Sequence, residues 1–350
     1  MSQHIARSTS IEQRLEALTA LREEMLSPGE YTEAVITRAS YENAWYDRDH
    51  ILRMMRSLAE NMLAPQHLQD VIDKYAIDDK ILAADVGIVM AGNLPLVGFH
   101  DWLCVYLMGY TAQVKLSSKD PYLLPALTKF LASIDSDLEH QTRYVDTLSD
   151  YHAVIATGSE NTNRYFRQYF QRVPHLLRSS RTSVAVLSGE ESDEEIIALS
   201  DDILAFYGLG CRNVSKVYWP EGWDQDRLFE LSRAHKHVAS NSKYMDNYDY
   251  NFAMWGLNRQ TFFTNGILLF KPDESLHSRL ASIYYETYAD RDSLISDLVE
   301  RADDLQCFVA QEDYSKGALQ HVVYGRTQQP SILDYPDGVD IMHFLLSIDG

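Results

Sequence analysis

The sequence predicts an α/β fold with a mainly parallel sheet, preceded by a helical region. Apolar residues recur at helical spacing up to about Lys80, and beyond it short apolar runs alternate with helical tracts. The length of 350 residues exceeds what one hydrophobic core usually organises, so two domains sharing an interface are expected.

The elements follow in order. Ser10 with Gln13 three positions later is a capping-box signature, and Ile11, Leu15, Leu18, Leu21 and Met25 then recur at helical spacing. A second helix is expected over 47–63, carrying Ile51, Leu52, Met55 and Leu58, and a third after Pro65, reaching Tyr75. From Lys80 the period changes. Residues 81–83 and 86–90 read as short buried strands, followed by helix 102–109, strand 112–116, helix 121–134, strand 151–157, helix 162–170 and strand 182–187. Ser192 and Glu195 form a second capping box, opening a helix that buries Ile196, Ile197, Ile203, Leu204 and Phe206 and stops at Gly208. Strand 216–219, a polar helical stretch, apolar runs over 262–270 and 282–288, helix 292–303 and strand 305–310 complete the pattern. This βαβ alternation requires a sheet covered on both faces.

Composition narrows the function classes. A formal charge of −20 without a Lys/Arg stripe opposes a nucleic-acid partner. Hydrophobic residues at 45% and aromatic ones at 11%, 22 of them Tyr, supply a core and an apolar pocket. The first residues lack the apolar stretch of a secretory signal, and no window reaches the length of a membrane span. Cys104, Cys211 and Cys307 are too far apart for a disulfide framework and match no zinc-ligand spacing, so no metal site is expected. Lone thiols of this kind suit a reducing, cytoplasmic compartment.

Four places could carry chemistry. Cys211 sits in Gly208-Leu-Gly-Cys-Arg-Asn213, where glycines let a substrate approach the backbone. It reads either as a nucleophile favoured by Arg212 and exposed amides, or as a small hydrophobe in a tight turn. Cys104 and Cys307 lie in apolar elements and read as core. Asn93, in Gly92-Asn-Leu-Pro95, is either an oxyanion donor or a turn residue. Lys115, at a strand end before Ser117 and Ser118, reads as a ribose or phosphate contact or as a solvated edge lysine. Gly158-Ser159 closes a strand before a helix, as a pyrophosphate turn or an ordinary N-cap. The sequence has no G-x-G-x-x-G, Walker, H-E-x-x-H or G-x-S-x-G motif.

Taken in order, these pieces resemble the aldehyde-dehydrogenase superfamily, and within it the long-chain acyl-CoA reductase (LuxC-like) branch. Gly92–Pro95 is similar to its asparagine loop, Val114-Lys-Leu-Ser-Ser118 to its cofactor strand, and Gly158-Ser159 to its Gly-Ser turn. Residues 181–186, the acidic helix and Gly210-Cys211 resemble the approach to the catalytic cysteine. Residues 324–330 and 334–340 resemble the closing segment. The resemblance implies residues 1–80 as a helical part of the cofactor domain, 81–180 as that domain, 181–330 as the catalytic domain and 331–350 as a return segment that could serve as a homodimer arm.

It also implies Cys211 as nucleophile, Asn93 with the Cys211 amide as oxyanion donors, and Lys115, Ser117, Ser118, Gly158 and Ser159 as cofactor contacts. The implied reaction reduces an acyl-CoA, or an acyl-carrier thioester, to an aldehyde. Three departures matter. Asn163 replaces the second glycine after the Gly-Ser turn. Residues 175–180 lack the carboxylate that activates water, which turns the acyl-enzyme away from hydrolysis. Ser118 is neutral and adjoins Lys119, which favours NADPH over NADH. Trp102, Trp219 and Trp255 are candidates for an acyl channel. A degenerate binding protein of this fold and a cysteine acyltransferase that performs no reduction are the rival readings.

Overall fold

The structure, a computed structural model, describes residues 9–79, 84–158 and 160–348. The expected strand over 81–83 and the candidate Ser159 lie outside the described residues. The chain divides into one unit comprising 1–179 with 329–350, and another comprising 180–328.

The first unit opens with four helices, α1 (Ile11–Leu26), α2 (Glu30–Glu42), α3 (Arg48–Asn61) and α4 (Pro65–Tyr75). The Ser10 hydroxyl accepts from the Gln13 amide at 3.2 Å, while the Gln13 carboxamide accepts from the Ser10 amide at 2.8 Å, so both halves of the capping box form. Asp47 caps α3 through the His50 amide at 2.8 Å. Helix α2 was not anticipated by the periodicity. It buries only Thr32, Ile36 and Ala39, too thin a stripe to stand out from its polar face.

Strands and helices then alternate: β1 (Asp85–Val89), α5 (Phe99–Leu107), β2 (Thr111–Lys115), α6 (Leu123–Ile134), β3 (Thr142–Tyr144), β4 (Ala153–Thr157), α7 (Glu160–Tyr169) and β5 (His175–Arg178). The sheet is parallel throughout, in the order β3-β2-β1-β4-β5. Chain direction across the sheet reverses between β1 and β4, and such a switch point opens a crevice at the carboxyl ends of the strands. Helix α5 is buried on every side, from Phe99 to Leu107, which explains the apolar run from Trp102 onward and requires partners for His100 and Asp101 in its first turn.

One internal ion pair ties this unit together. Arg178, at the end of β5, donates to Asp101 of α5 at 2.7 and 3.3 Å and to the Pro336 carbonyl at 2.7 Å. His100 bonds the Ile332 carbonyl through Nε2 at 2.8 Å, and the Tyr75 hydroxyl reaches Asp340 at 2.6 Å. Residues 329–348, including a last helix Ile341–Leu346, therefore return to the unit that the N-terminal helices began.

The second unit contains β6 (Thr182–Val186), α8 (Asp193–Leu204), β7 (Val214–Pro220), α9 (Asp226–Leu231), α10 (Ser242–Leu257), β8 (Phe263–Thr264), β9 (Leu269–Pro272), β10 (Ser282–Tyr288), α11 (Arg291–Glu300), β11 (Leu305–Val309) and β12 (His321–Val322). Its sheet runs β12-β11-β6-β7-β10-β9-β8, parallel except for β8. The Ser192–Glu195 capping box forms. The apolar run over 262–270 is not one strand. Gly266, at φ 90°, turns it back into the β8–β9 hairpin. Val184, Val186, Leu298 and Phe308 center the core.

The three tryptophans considered for an acyl channel, of the five in the chain, are packing residues. Trp102 stacks on Tyr106 at 5.1 Å, Trp219 on Tyr285 at 4.6 Å, and Trp255 lies 5.7 Å from Phe262, all between ring centroids. Each is 2% exposed or less, a degree of burial that leaves no face for an acyl chain.

Candidate active site

In the first unit, strand register gathers the candidates from separate stretches of chain. Val89, the last residue of β1, pairs with Lys115 on one side and Ala156 on the other. Lys115, the Gly92-Asn93 loop and Gly158 therefore all sit at carboxyl ends of adjacent strands, around the switch point. Asn93 is exposed, and among the described residues its amide has no hydrogen-bond partner. Lys115 is exposed as well, with Nζ donating to the Asp146 carbonyl at 2.5 Å.

A cleft of about 850 Å³ opens beside Lys115, walled by Val89, Leu148, Tyr151 and the rings of Tyr165, Phe166 and Tyr169 on α7. Its size falls within the range of cofactor sites. Ser117, Ser118 and Gly158 are not among the residues lining it. The Ser117 hydroxyl instead accepts from the Lys119 amide at 3.2 Å and presses on Gly92, where an added Cβ would lie 2.5 Å from Ser117 Oγ. Gly158 donates its amide to the Arg178 carbonyl at 3.3 Å. Asn163, where a glycine was expected, is buried and donates to that same carbonyl at 2.8 Å, knitting α7 to β5.

The loop bearing Asn93 has a support that the sequence did not disclose. Tyr46, 1% exposed, places its hydroxyl 2.9 Å from the Gly92 carbonyl and 2.7 Å from that of Leu94, bracketing Asn93. Asn43, on the same turn, donates to the Lys119 carbonyl at 3.1 Å. Asp120 accepts from the Leu96 amide at 2.9 Å, and burial pushes its carboxyl up to about 6 against that donor.

In the second unit, Cys211 is half-buried, whereas Cys104 and Cys307 are fully buried. The turn that carries it is unusual. Phe206, Tyr207 and Gly208 are successive left-handed residues at φ 49°, 62° and 76°, and Gly210 follows at 97°. A non-glycine residue pays on the order of 1 kcal/mol there, so the surroundings must hold the conformation.

They do so through buried amides and hydroxyls. Asn213 donates to the Ala205 carbonyl at 2.6 Å and accepts from Gln328 at 2.8 Å. Ser183 of β6 donates to the Cys211 carbonyl at 2.8 Å and accepts from the Cys307 amide at 3.1 Å. Asp202 of α8 accepts from the amides of Gly325 and Thr327 at 2.6 and 3.1 Å and from the Thr327 hydroxyl at 2.7 Å. Burial nevertheless pushes its carboxyl up to about 6. Arg212 donates to the Cys307 sulfur at 3.5 Å. A cleft of about 250 Å³ runs past Gly208, Gly210 and Asn213, with Tyr207 and Tyr244 on its walls.

Arg178, Asp101, Tyr46, Asn213 and Asp202 escaped sequence reading because each works through a distant partner. Among the described residues no group of His, Cys, Asp and Glu side chains could hold a metal ion, and no helix is long and apolar enough to cross a membrane.

No protein-family model matches the sequence, and no curated protein matches it. Solved structures do. An oxidoreductase from Marinobacter aquaeolei is similar over 94% of this chain and 81% of its own, with a TM-score of 0.68 at 11% identity. A cysteine-to-alanine variant of propionaldehyde dehydrogenase from a Clostridium phytofermentans fucose-utilisation microcompartment is similar over 95% and 85%, with a TM-score of 0.65 at 9% identity. Aldehyde dehydrogenase from Bacillus cereus, solved as an NAD+ complex, is similar over 92% and 77%, with a TM-score of 0.62 at 14% identity. With a parallel five-stranded sheet in one unit and a seven-stranded sheet in the other, the chain has the aldehyde-dehydrogenase fold.

Proposed function

We propose that this chain is an oxidoreductase that reduces an acyl thioester to an aldehyde through an acyl-enzyme on Cys211. The observation that carries the reading is the contrast among the thiols: two are core residues, and the third is half-buried, following a braced left-handed turn whose Gly210 and Asn213, but not Cys211 itself, line a cleft. Partial exposure beside Arg212 supports reading this thiol as a reagent rather than filler. The likeness to aldehyde dehydrogenases supports the same class of chemistry.

In the proposed reaction the Cys211 thiolate attacks the thioester carbonyl carbon. The carbon–sulfur bond to CoA then breaks, CoA leaves as a thiolate, and an acyl-enzyme remains. Asn93 supplies the side-chain amide that steadies the oxyanion, a role worth ~3 kcal/mol per donor. A nicotinamide dinucleotide, when bound, supplies the hydride that turns the acyl group into an aldehyde and restores the thiolate. Overall, one thioester, one reduced cofactor and one proton give aldehyde, free CoA and oxidised cofactor.

The 850 Å³ cleft fits the adenosine half of such a cofactor, with Lys115 toward the ribose and aromatic side chains for the base. Exposed Ser118 and Lys119, with no acidic side chain between them and Lys115, accommodate a 2′-phosphate, so NADPH is the proposed reductant. The long-chain acyl part of the proposal rests on the sequence resemblance. Strand β5 supplies no carboxylate to activate water, which favours thioester exchange over hydrolysis. Loss of NADPH absorbance that depends on added acyl-CoA, and disappears in Cys211→Ala, tests the assignment.

A further inference from the structure

The loop that carries Asn93 is fastened by side chains at three backbone groups, and Tyr46 holds only two of them. The third is the Leu96 amide, which donates to Asp120 Oδ2 at 2.9 Å. We propose that Asp120 is a positioning residue of the candidate site, holding the Asn93 loop against the turn that carries Ser117 and Ser118. This role rests on the reading of Asn93 as the donor that steadies the oxyanion.

Leu96 is the point at which the loop would relax if nothing held it. The residue is 4% exposed and stands in the left-handed region at φ 55°. A leucine is disfavoured there, so its surroundings must keep it in place. Pro95 has no N–H to fasten, which makes the Leu96 amide the first donor after the proline that a side chain can hold.

Asp120 is anchored well enough to serve as the fixed end. Its amide donates to the Ser117 carbonyl at 3.1 Å, and the neighbouring Lys119 carbonyl accepts from Asn43 at 3.1 Å. One residue therefore ties two segments, its backbone closing the turn after β2 and its carboxylate gripping the loop after β1. The two segments also pack directly, where Gly92 meets Ser117.

The choice of a carboxylate is informative. Asp120 is 9% exposed, and among the described residues it has no ion-pair partner. Burying such a group without a cation opposes folding. What it supplies is a charge-assisted hydrogen bond, stronger than a neutral side chain would make to the same amide. Tyr46 holds the carbonyls of Gly92 and Leu94, Asp120 holds the amide of Leu96, and Asn93 between them stays exposed.

The test is the rate at which the full chain is acylated by a fatty acyl-CoA without NADPH, read by intact-mass spectrometry, beside KM for NADPH in turnover. Asp120→Ala should acylate on the order of tenfold more slowly, because a displaced donor is felt in the transition state, with KM for NADPH within about threefold of wild type. Asp120→Asn keeps an oxygen for the Leu96 amide and should recover most of the rate. A general loss of packing would not produce that split or that recovery. Equal acylation of wild type and Asp120→Ala, or an Asp120→Asn chain as slow as Asp120→Ala, overturns the role and leaves the Cys211 reading standing. A wild type that stays unacylated overturns the Cys211 reading and this role with it. If Asp120→Ala does not fold, hydrogen exchange of the wild type decides. A Leu96 amide that exchanges far more slowly than the Asn93 amide supports the clamp, and equal exchange overturns it.

Discussion

The hydroxyl of Tyr46 lies 2.9 Å from the carbonyl oxygen of Gly92, joining a turn between two N-terminal helices to the loop that follows the first strand. A second contact, 2.7 Å to the Leu94 carbonyl, leaves Asn93 held between two fixed points. The N-terminal helices are therefore more than packing, because the pose of a candidate oxyanion donor depends on them.

Tyr46→Phe removes one oxygen and keeps the ring. It should cost about 1 kcal/mol of stability by removing the single O–H donor that the buried Gly92 and Leu94 carbonyls share. If Asn93 acts as proposed, kcat should fall on the order of tenfold with KM for the cofactor unchanged, since a loosened donor is felt in the transition state. Steady-state kinetics beside thermal melts separate the two effects.

Gly92→Ala tests the close packing of the two candidate loops. A methyl group there would meet Ser117 Oγ at 2.5 Å and Ser117 Cβ at 2.6 Å. Overpacking of this kind costs about 1–3 kcal/mol. Displacement of the 117–119 turn should also weaken cofactor binding, which fluorescence titration with NADPH would measure.

Asp101 and Arg178 form a buried pair whose guanidinium also holds the Pro336 carbonyl. Arg178 holds the Asp101 carboxyl down at about 2, overcoming the burial that would raise it. Arg178→Met would strand a buried carboxylate and should cost about 3–5 kcal/mol, read from denaturant unfolding. The double variant Asp101→Leu/Arg178→Met should recover part of that loss.

Asp202 gives stability a pH signature. Its folded value is raised to about 6, above the unfolded value of roughly 3.9. The folded chain thus binds this proton more tightly than the unfolded chain does. The resulting stabilisation is full below the unfolded value and is lost as pH rises through 6. Asp202→Asn should flatten that part of the stability profile between pH 4 and 6. It should also destabilise the chain by about 1–3 kcal/mol, because an amide cannot accept from both Gly325 and Thr327. Thermal melts across that range would show both changes.

Much of the fold was legible because it is local. Both capping boxes formed where Ser10 and Ser192 announced them, and the strands around Ile88, Val114, Ile155 and Val184 stood out as apolar runs. Helix α2 was hidden by its polar surface, and the β8–β9 hairpin by an apolar run whose turn hangs on Gly266 alone.

The site divides the same way. The candidates Asn93, Lys115 and Cys211 were picked out by glycines and strand ends, cues carried by neighbouring residues, and their roles remain proposals. Tyr46, Asn213 and Arg178 were not, since a tyrosine 46 positions before the loop it clamps leaves no local trace. The structure also reassigns Asn163. What looked like a flaw in a phosphate turn is a buried strut between α7 and β5.

The account stands or falls on the sulfur of Cys211. Incubating the protein with a fatty acyl-CoA in the absence of NADPH, followed by peptide mass spectrometry, reads it directly. An acyl adduct on Cys211, with Cys104 and Cys307 unmodified and release upon adding NADPH, is the expected result. A chain that stays unacylated, or carries its adduct on another residue, would contradict it.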